Sequence, residues 1–296
     1  MNDSRSKGSP NLPLSTIATI LKQAANNLIF ISSSPALDAE ILLAHVLNQS
    51  RSYLYAHSDK IPTNAEIQNF RKLLQQRQQG KPIAYILGKK EFWSLELDID
   101  ENVLIPRPET ELLVELCLAK LDKSKNQNIL DLGTGSGAIA LAIAHEQPNW
   151  NIVAIDKNAE ALKIAKRNAE KFKIKNVTFL CNNWYAALPE SQKFNAILSN
   201  PPYIKTKDPH LQKGDVKQEP ISALTSGTTG LDDLTIIITR AKNYLENDGC
   251  IMVEHGYNQA NQVQQLMLHN GFTDIQTYKD IAGHDRVTIG ERCEKG

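Results

Sequence analysis

Residues 128–144 constrain the fold of this chain more than any other segment. Residues 128–132 are an apolar run with the length of a buried strand, residues 133–137 read Gly-Thr-Gly-Ser-Gly, and an apolar helical pattern follows. A strand that leads through glycines into a helix is the context that a nucleotide-type binding loop requires. Glycines let the backbone approach a ligand closely, and a helix N-terminus favours negative charge. The segment therefore predicts an α/β domain with a ligand site at the loop.

Two acidic residues narrow the choice of ligand. A second strand pattern at 151–155 ends in Asp156, which lies roughly 20 residues past the glycines, the spacing of a carboxylate that binds ribose hydroxyls. The glycine pattern also satisfies the dinucleotide fingerprint, so a nicotinamide-dependent dehydrogenase is an alternative. Asp131 leads directly into the glycines and suits an amino-bearing ligand better than a pyrophosphate. Capping or solvent-facing carboxylates are the alternative for both acids.

The tetrapeptide Asn200-Pro201-Pro202-Tyr203 follows another apolar strand pattern. The Asn200 side-chain carbonyl accepts hydrogen bonds, and the prolines leave rigidly placed backbone carbonyls without N–H groups. With the flat ring of Tyr203, these groups can hold a planar –NH2 group by both hydrogens. An ordinary turn is the alternative. The carboxyl end of a strand is, however, where open α/β sheets bind ligands, and chemistry on an amide or amino nitrogen is predicted.

These motifs together carry a resemblance to a known family. Asp131-Leu-Gly-Thr-Gly-Ser-Gly137 and Asn200-Pro-Pro-Tyr203 resemble the class I S-adenosylmethionine-dependent methyltransferases. Within that group, the chain from about residue 30 to its end is similar to the HemK/PrmC protein-(glutamine-N5) methyltransferases, which act on class-1 peptide-chain release factors. The segments that carry this second resemblance are Ile105-Pro-Arg-Pro-Glu-Thr-Glu111, Asp208-Pro-His-Leu211, Gly214-Asp-Val216, Glu219-Pro220 and Glu254-His-Gly256.

The resemblance implies a fold, a reaction and a set of site residues. The fold is α/β and Rossmann-like, with a mainly parallel sheet. The reaction transfers a methyl group from S-adenosylmethionine to the glutamine of a Gly-Gly-Gln motif. Catalysis would fall to Asn200, Pro201 and Tyr203, and no metal is expected. The cofactor would contact Asp131, Gly133, Thr134, Gly135, Ser136, Gly137, Asp156, Asn183, Trp184 and Asn200, and the substrate would contact Asn200, Pro201, Pro202, Tyr203, Arg107 and Glu219.

Some of these residues have alternative interpretations. Asn183 stands where the family usually has an acid; its amide can accept and donate hydrogen bonds but carries no charge. Trp184 fits a core position as well as a site position. Arg107 fits a surface ion pair as well as the mouth of the cleft. Residues 227–230 lack an acid often found in that loop.

The chain divides into a helical part and an α/β part. Residues 1–14 are expected to be disordered, residues 15–86 to form a helical substrate-docking domain, residues 87–105 a β-hairpin, and residues 106–296 the catalytic domain. In the hairpin, residues 92–99 are predicted to pair with 103–105 across a turn at 100–102.

Residues 205–229 have no regular pattern and are interpreted as a wall or lid that receives a peptide. Strands are predicted near 128–132, 151–155, 177–180, 194–199, 249–254 and 286–290, and helices near 109–121, 137–146, 158–173, 231–245 and 258–270.

Composition bounds the partners. The formal net charge is +0 over 296 residues, whereas proteins that bind nucleic acid through phosphates are more often basic. The sequence lacks an apolar run of membrane-spanning length and an N-terminal signal pattern. A cytoplasmic monomer that acts on release factors is predicted, without a nucleic-acid requirement. Alternatives are a glutamine methyltransferase for a ribosomal protein, an adenine-N6 nucleic-acid methyltransferase, and a binding module without catalysis.

Overall fold

The computed structural model describes residues 15–186 and 188–293. The chain divides into two compact units, one that ends at Leu87 and one that begins at Gly88. The predicted disorder of residues 1–14 lies outside the described residues. Within the described residues, no helix combines the length and the hydropathy that are needed to cross a lipid bilayer.

The first unit is helical, as the amphipathic patterns predict. Its apolar core is formed by residues such as Ile17, Leu42 and Phe70. A buried ion pair with 2.7 Å between Arg77 Nε and Asp38 Oδ2 joins two of the helices. The helices are α1 (Ile17–Leu28), α2 (Pro35–Leu47), α3 (Arg51–Ala56), α4 (Asn64–Gln78) and α5 (Ile83–Leu87).

The second unit starts with the predicted hairpin, but the residues assigned to it were wrong. Strand β1 (Lys89–Phe92) pairs with β2 (Leu95–Asp98), and the turn lies at Trp93 and Ser94 instead of residues 100–102. Both turn residues have positive φ, 51° and 61°, as a two-residue hairpin turn requires. The Trp93 amide donates to Glu111 at 2.9 Å, and its indole donates to Glu146 at 2.8 Å. These contacts fix a turn that the local sequence does not favour.

A seven-stranded sheet forms the centre of the second unit. The strand order is β5-β4-β3-β6-β7-β9-β8, in which β3 to β7 are parallel and the last two are antiparallel. The predicted Rossmann-like fold with an antiparallel edge is confirmed. The strands are β3 (Asn128–Leu132), β4 (Asn151–Asp156), β5 (Val177–Cys181), β6 (Phe194–Ser199), β7 (Leu245–Glu254), β8 (Thr273–Lys279) and β9 (Asp285–Glu291). The helices are α6 (Glu111–Lys120), α7 (Ala138–Glu146), α8 (Ala159–Lys171), α9 (Ile221–Leu224), α10 (Asp232–Ala241) and α11 (Ala260–His269).

The strand order reverses between β3 and β6. In a doubly wound sheet, the crevice outside the carboxyl ends of such strands is where ligands bind. Leu132 and Ser199 are paired in the ladder, and Ser199 Oγ donates to the Leu132 carbonyl at 2.7 Å. The glycine loop and Asn200 therefore leave the sheet side by side.

Three segments differ from the predicted elements. Edge strand β8 was not predicted. β7 begins at Leu245, inside a segment predicted to be helical, because Leu245 pairs with Phe194 across an irregularity in the ladder. The segment 205–229 is not wholly irregular: it holds two 3-10 helices, Pro209–Gln212 and Gly214–Gln218, followed by α9.

Candidate active site

A cleft opens at the carboxyl ends of β3, β4 and β6. Gly133 and Gly135 of the glycine loop, Asp156 and Asn200 line it. Further lining residues are 102–104, 155, 157, 158, 161, 182–184, 202, 220, 222 and 223. Residues of the glycine loop and of the Asn-Pro-Pro-Tyr segment thus line the same cleft. The prediction that the two motifs form one site requires this arrangement.

The glycine loop is held in shape by its own backbone. The amides of Gly133 and Thr134 both donate to the Ile155 carbonyl, at 2.8 and 3.0 Å. Gly135 has φ of 56°, and a Cβ there would meet nothing within 4 Å, so its backbone faces open space in the cleft. Gly137 has φ of 86°, and a Cβ there would lie 2.9 Å from Leu141 Cδ1. Glycine is required at Gly135 by the backbone conformation, and at Gly137 by both the backbone conformation and the packing.

Asp156 braces the loop at the end of β4. Its Oδ2 accepts the Gly135 amide at 2.9 Å, and its Oδ1 accepts the Asn158 amide at 2.8 Å. Burial raises the pKa of this carboxyl, while the two amide donors oppose the rise. A carboxylate has about four lone-pair sites, so Asp156, which lines the cleft, keeps acceptor capacity for a ligand.

Several buried polar atoms near the loop have no hydrogen-bond partner. They are both carboxylate oxygens of Asp131, the Thr134 hydroxyl and the Asn182 side-chain nitrogen. Burial raises the pKa of Asp131 to about 7; Thr134 and the Ala140 amide lie near enough to hold the rise down, although neither reaches hydrogen-bonding geometry. Asp131 is fully buried behind the loop. Ser136 is also buried, and neither it nor Thr134 lines the cleft.

Trp184 belongs both to the apolar core and to the lining of the cleft, the two positions that the sequence left open. Its ring belongs to the apolar core and at one edge lines the cleft. A Cβ on Gly133 would lie 3.3 Å from its ring, and its indole donates to Asp233 Oδ1 at 3.2 Å. Asn183 is exposed and lies at the rim. The backbone at Gly133 can therefore come close to the indole.

The Asn-Pro-Pro-Tyr segment presents its residues unequally. Asn200 and Pro202 line the cleft, whereas Pro201 and Tyr203 are not among the residues that line it. The Asn200 side-chain nitrogen donates to Thr110 Oγ1 at 3.0 Å. The Tyr203 hydroxyl donates to Glu254 Oε1 at 3.2 Å, and burial raises the pKa of that tyrosine.

Sequence reasoning missed Thr110 and Glu254. The Thr110 hydroxyl donates to Glu254 Oε2 at 2.7 Å, which links Asn200 to a buried acid. Burial raises the pKa of Glu254 to about 7, although Thr110, Arg286 and Tyr203 act to lower it. Both missed residues lie in segments that resemble the family, so the signal was present, but nothing in the sequence joins residues 144 positions apart.

Arg107 and Glu219 form an ion pair with each other. The Glu219 side chain is completely buried and also accepts the Ile105 amide at 3.2 Å. Its carboxylate thus ties residues 205–229 to the segment before α6. The Arg107 side chain is 32% exposed, so it retains surface for a further partner.

Comparison with known proteins identifies the family. The "PrmC N-terminal domain" family matches residues 19–88, and the "Methyltransferase small domain" family matches residues 109–284. A release factor glutamine methyltransferase of Aliivibrio fischeri is 46% identical over 93% of this chain and 97% of its own. One from Coxiella burnetii is 46% identical over 94% of this chain and 99% of its own. The chain belongs to the release factor glutamine methyltransferase family. The family resemblance seen in the sequence is confirmed.

A solved structure supports the fold of this family member. A methyltransferase from Pyrococcus furiosus superposes with a TM-score of 0.52 at 16% identity, over 76% of this chain and 99% of that one. Among the described residues, no group of three or more His, Cys, Asp and Glu side chains is arranged to hold a metal ion.

Proposed function

We propose that this chain transfers a methyl group from S-adenosylmethionine to the side-chain amide nitrogen (N5) of glutamine in the Gly-Gly-Gln motif of class-1 release factors. Family membership along nearly the whole chain supports the activity. The single observation that carries the site assignment is the placement of Asn200 beside the glycine loop, at the point where the strand order reverses. An amide acceptor next to a nucleotide-type loop suits chemistry on a planar –NH2 group.

The residues at the cleft fit S-adenosylmethionine. Asp156 has acceptor capacity for the ribose hydroxyls, and the unpartnered Asn182 nitrogen is a donor in the wall of the cleft. Gly133, Gly135 and Gly137 shape the loop around the methionine part, with Thr134 and Ser136 between them. Asn183 and Trp184 adjoin the base, and the Asp131 carboxylate supports the loop from behind. When bound, the cofactor supplies an electrophilic methyl group on a sulfonium.

The protein's task is to position and polarise the substrate amide. An amide nitrogen is a poor nucleophile because its lone pair is delocalised into the carbonyl. Asn200 Oδ1 and the Pro201 carbonyl accept the two amide hydrogens and stabilise the positive charge that develops on nitrogen. Pro202 and Tyr203 pack beside the amide, which excludes water and favours the attacking geometry. No strong base is required before transfer, since the alkylated nitrogen loses its proton readily.

Contacts outside the cleft complete the proposal. The helical unit, residues 15–86, docks the release factor, and Arg107 contacts the substrate at the cleft mouth. Glu219 acts on the substrate indirectly, by holding Arg107. The protein works as a monomer in the cytoplasm, where release factors act, and it needs no nucleic acid. A formal net charge of +0 supports the last point.

Methyl transfer from labelled S-adenosylmethionine tests this function. Purified release factor, the same factor with its motif glutamine replaced, ribosomal protein and unmethylated DNA are offered side by side, and mass spectrometry locates the label. We expect label on the motif glutamine alone. Label on DNA or ribosomal protein alone would refute the substrate assignment.

A variant pair tests the motif. Asn200→Ala is expected to lower kcat by about 10²–10³-fold, because it removes an acceptor aimed at developing charge. Asn261→Ala, on an exposed position of α11, is the matched control and keeps full activity. Near-normal turnover by Asn200→Ala would remove Asn200 from the mechanism.

A further inference from the structure

We infer that Thr110 and Glu254 are positioning residues, which hold the Asn200 side chain with its amide oxygen toward the cleft. This rests on the proposed function, since only methylation of an –NH2 group needs an acceptor there. The inference concerns three side chains from separate parts of the fold: the turn before α6, the end of β6 and the end of β7.

The two ends of an asparagine amide have nearly the same shape, so hydrogen bonds decide its orientation. Asn200 Nδ2 lies 3.0 Å from Thr110 Oγ1. Within the part of the chain that the structure describes, Asn200 Oδ1 has no hydrogen-bond partner, and Asn200 lines the cleft. The orientation of Asn200 therefore depends on what Thr110 offers it.

Toward Asn200, the Thr110 hydroxyl can only accept a hydrogen bond. A hydroxyl has one proton, and Thr110 donates that proton to Glu254 Oε2 at 2.7 Å. The oxygen that remains can accept from the Asn200 –NH2 group but cannot donate to its carbonyl. The Thr110 hydroxyl is buried, so water does not compete at this position.

Glu254 fixes the direction of the Thr110 proton. An ionised carboxylate only accepts hydrogen bonds, and its two oxygens receive the hydroxyls of Thr110 and Tyr203. Glu254 is 1% exposed. Burial raises the pKa of its carboxyl to about 7, whereas the Thr110 hydroxyl and the Arg286 guanidinium act in the opposite direction and favour the charged form. The order of donation is thus Asn200 to Thr110 to Glu254. A neutral group at Glu254 could donate instead, and the order would reverse.

Reversal would damage catalysis more than binding. With Asn200 turned over, its –NH2 group would face the –NH2 group of the substrate, and two donors would meet without an acceptor. The release factor would still dock through its other contacts, and the cofactor contacts at the glycine loop would not change. The expected signature is a fall in kcat with little change in KM.

Three variants test the inference. Thr110→Val keeps the shape and removes the hydroxyl, Glu254→Gln keeps the shape and adds a donor, and Thr110→Ser restores the hydroxyl. We expect kcat to fall about 10–100-fold in the first two, with KM for release factor and affinity for S-adenosylmethionine within about twofold. Thr110→Ser is expected to recover most of the loss. A well-folded Thr110→Val with wild-type kcat, or a Thr110→Ser as impaired as Thr110→Val, would overturn the inference.

A measurement without substrate separates this inference from the proposed function. The side-chain –NH2 signals of Asn200, assigned by NMR from their loss in Asn200→Ala, should shift in Thr110→Val and in Glu254→Gln. Identical signals in all three proteins would overturn the inference, even if the activity is as proposed. Absence of methyl transfer to glutamine by the unmodified protein would instead refute the proposed function.

Discussion

Asp131 and Glu254 are both buried acids at the carboxyl edge of the sheet, one on each side of the β3–β6 crevice. Burial raises the pKa of each to about 7. They differ in their partners, because both oxygens of Asp131 lack a hydrogen bond while each oxygen of Glu254 accepts a hydroxyl. The Asp131 carboxylate therefore keeps free acceptor capacity, whereas both oxygens of the Glu254 carboxylate are occupied.

The two buried carboxylates differ in what they cost the fold and in how they act on neighbouring groups. An unpartnered buried carboxylate costs free energy of folding, and a fold keeps such a group where it supports a loop or a ligand. A carboxylate with two donors costs less and imposes direction on its neighbours. We therefore expect the glycine-loop side to govern cofactor affinity and the Asn200 side to govern turnover.

On the glycine-loop side, the largest effect is expected from Asp156. Asp156→Ala removes the carboxylate that braces Gly135 and faces the cleft. Loss of charge-assisted hydrogen bonds should weaken S-adenosylmethionine binding about 10–100-fold, while kcat at saturating cofactor changes little. Calorimetric titration measures the affinity, with Glu170→Ala at an exposed position of α8 as control. A fall in kcat without loss of affinity would break the comparison.

The second effect is a pH dependence on the Asn200 side. Below a pKa of about 7, Glu254 is protonated and can donate to Thr110, so kcat at saturating cofactor should fall about tenfold from pH 8 to pH 6. The other charged and titratable groups that act on Glu254 are Arg286, Tyr203 and Glu109. Stopped-flow or initial-rate measurements across this range give the profile. Glu254→Gln should flatten it, and an unchanged profile in that variant would assign the titration to another group.

The smallest effect is one of stability. Because the folded pKa of Asp131 is above its unfolded value, its protonated form is stable in the fold and its charged form destabilises the fold as pH rises through about 7. Asp131→Asn should therefore raise Tm at pH 8 by about 2–4 °C and change it less at pH 5. Scanning calorimetry at both pH values measures Tm, with Asp59→Asn at an exposed position of the helical unit as control. A lower Tm at pH 8 would show that the carboxylate has a partner in the fold.

The glycine loop was predictable because its parts are close in sequence. Asp131, the three glycines and Asp156 lie within two successive strand–loop units, and their spacing alone indicates a site. The contacts of Thr110 with Asn200 and Glu254 span 90 and 144 positions. Hydrogen bonds of that range leave no periodic trace in a sequence.

The bounds of the hairpin were wrong, and the edge strand was missed, for other physical reasons. Trp93 and Ser94 are poor candidates for positive φ, and they adopt it because Glu111 and Glu146 hold the tryptophan from outside the turn. Strand β8 is half-exposed along its length, so it lacks the apolar run that marked the central strands. Edge strands often carry such polar residues, which discourage pairing with other chains.

Leu132 and Ser199 are paired in the sheet, so the glycine loop and the Asn-Pro-Pro-Tyr segment start one inter-strand spacing apart, ~4.8 Å. That distance belongs to the backbone ladder and not to any side chain. The segment 205–229 and the helical unit can vary in sequence, or be exchanged between enzymes, without altering it. The sheet thus keeps the spacing between the cofactor loop and the substrate loop constant. Changes in the segments around the cleft can then alter which protein substrate is bound without changing that spacing.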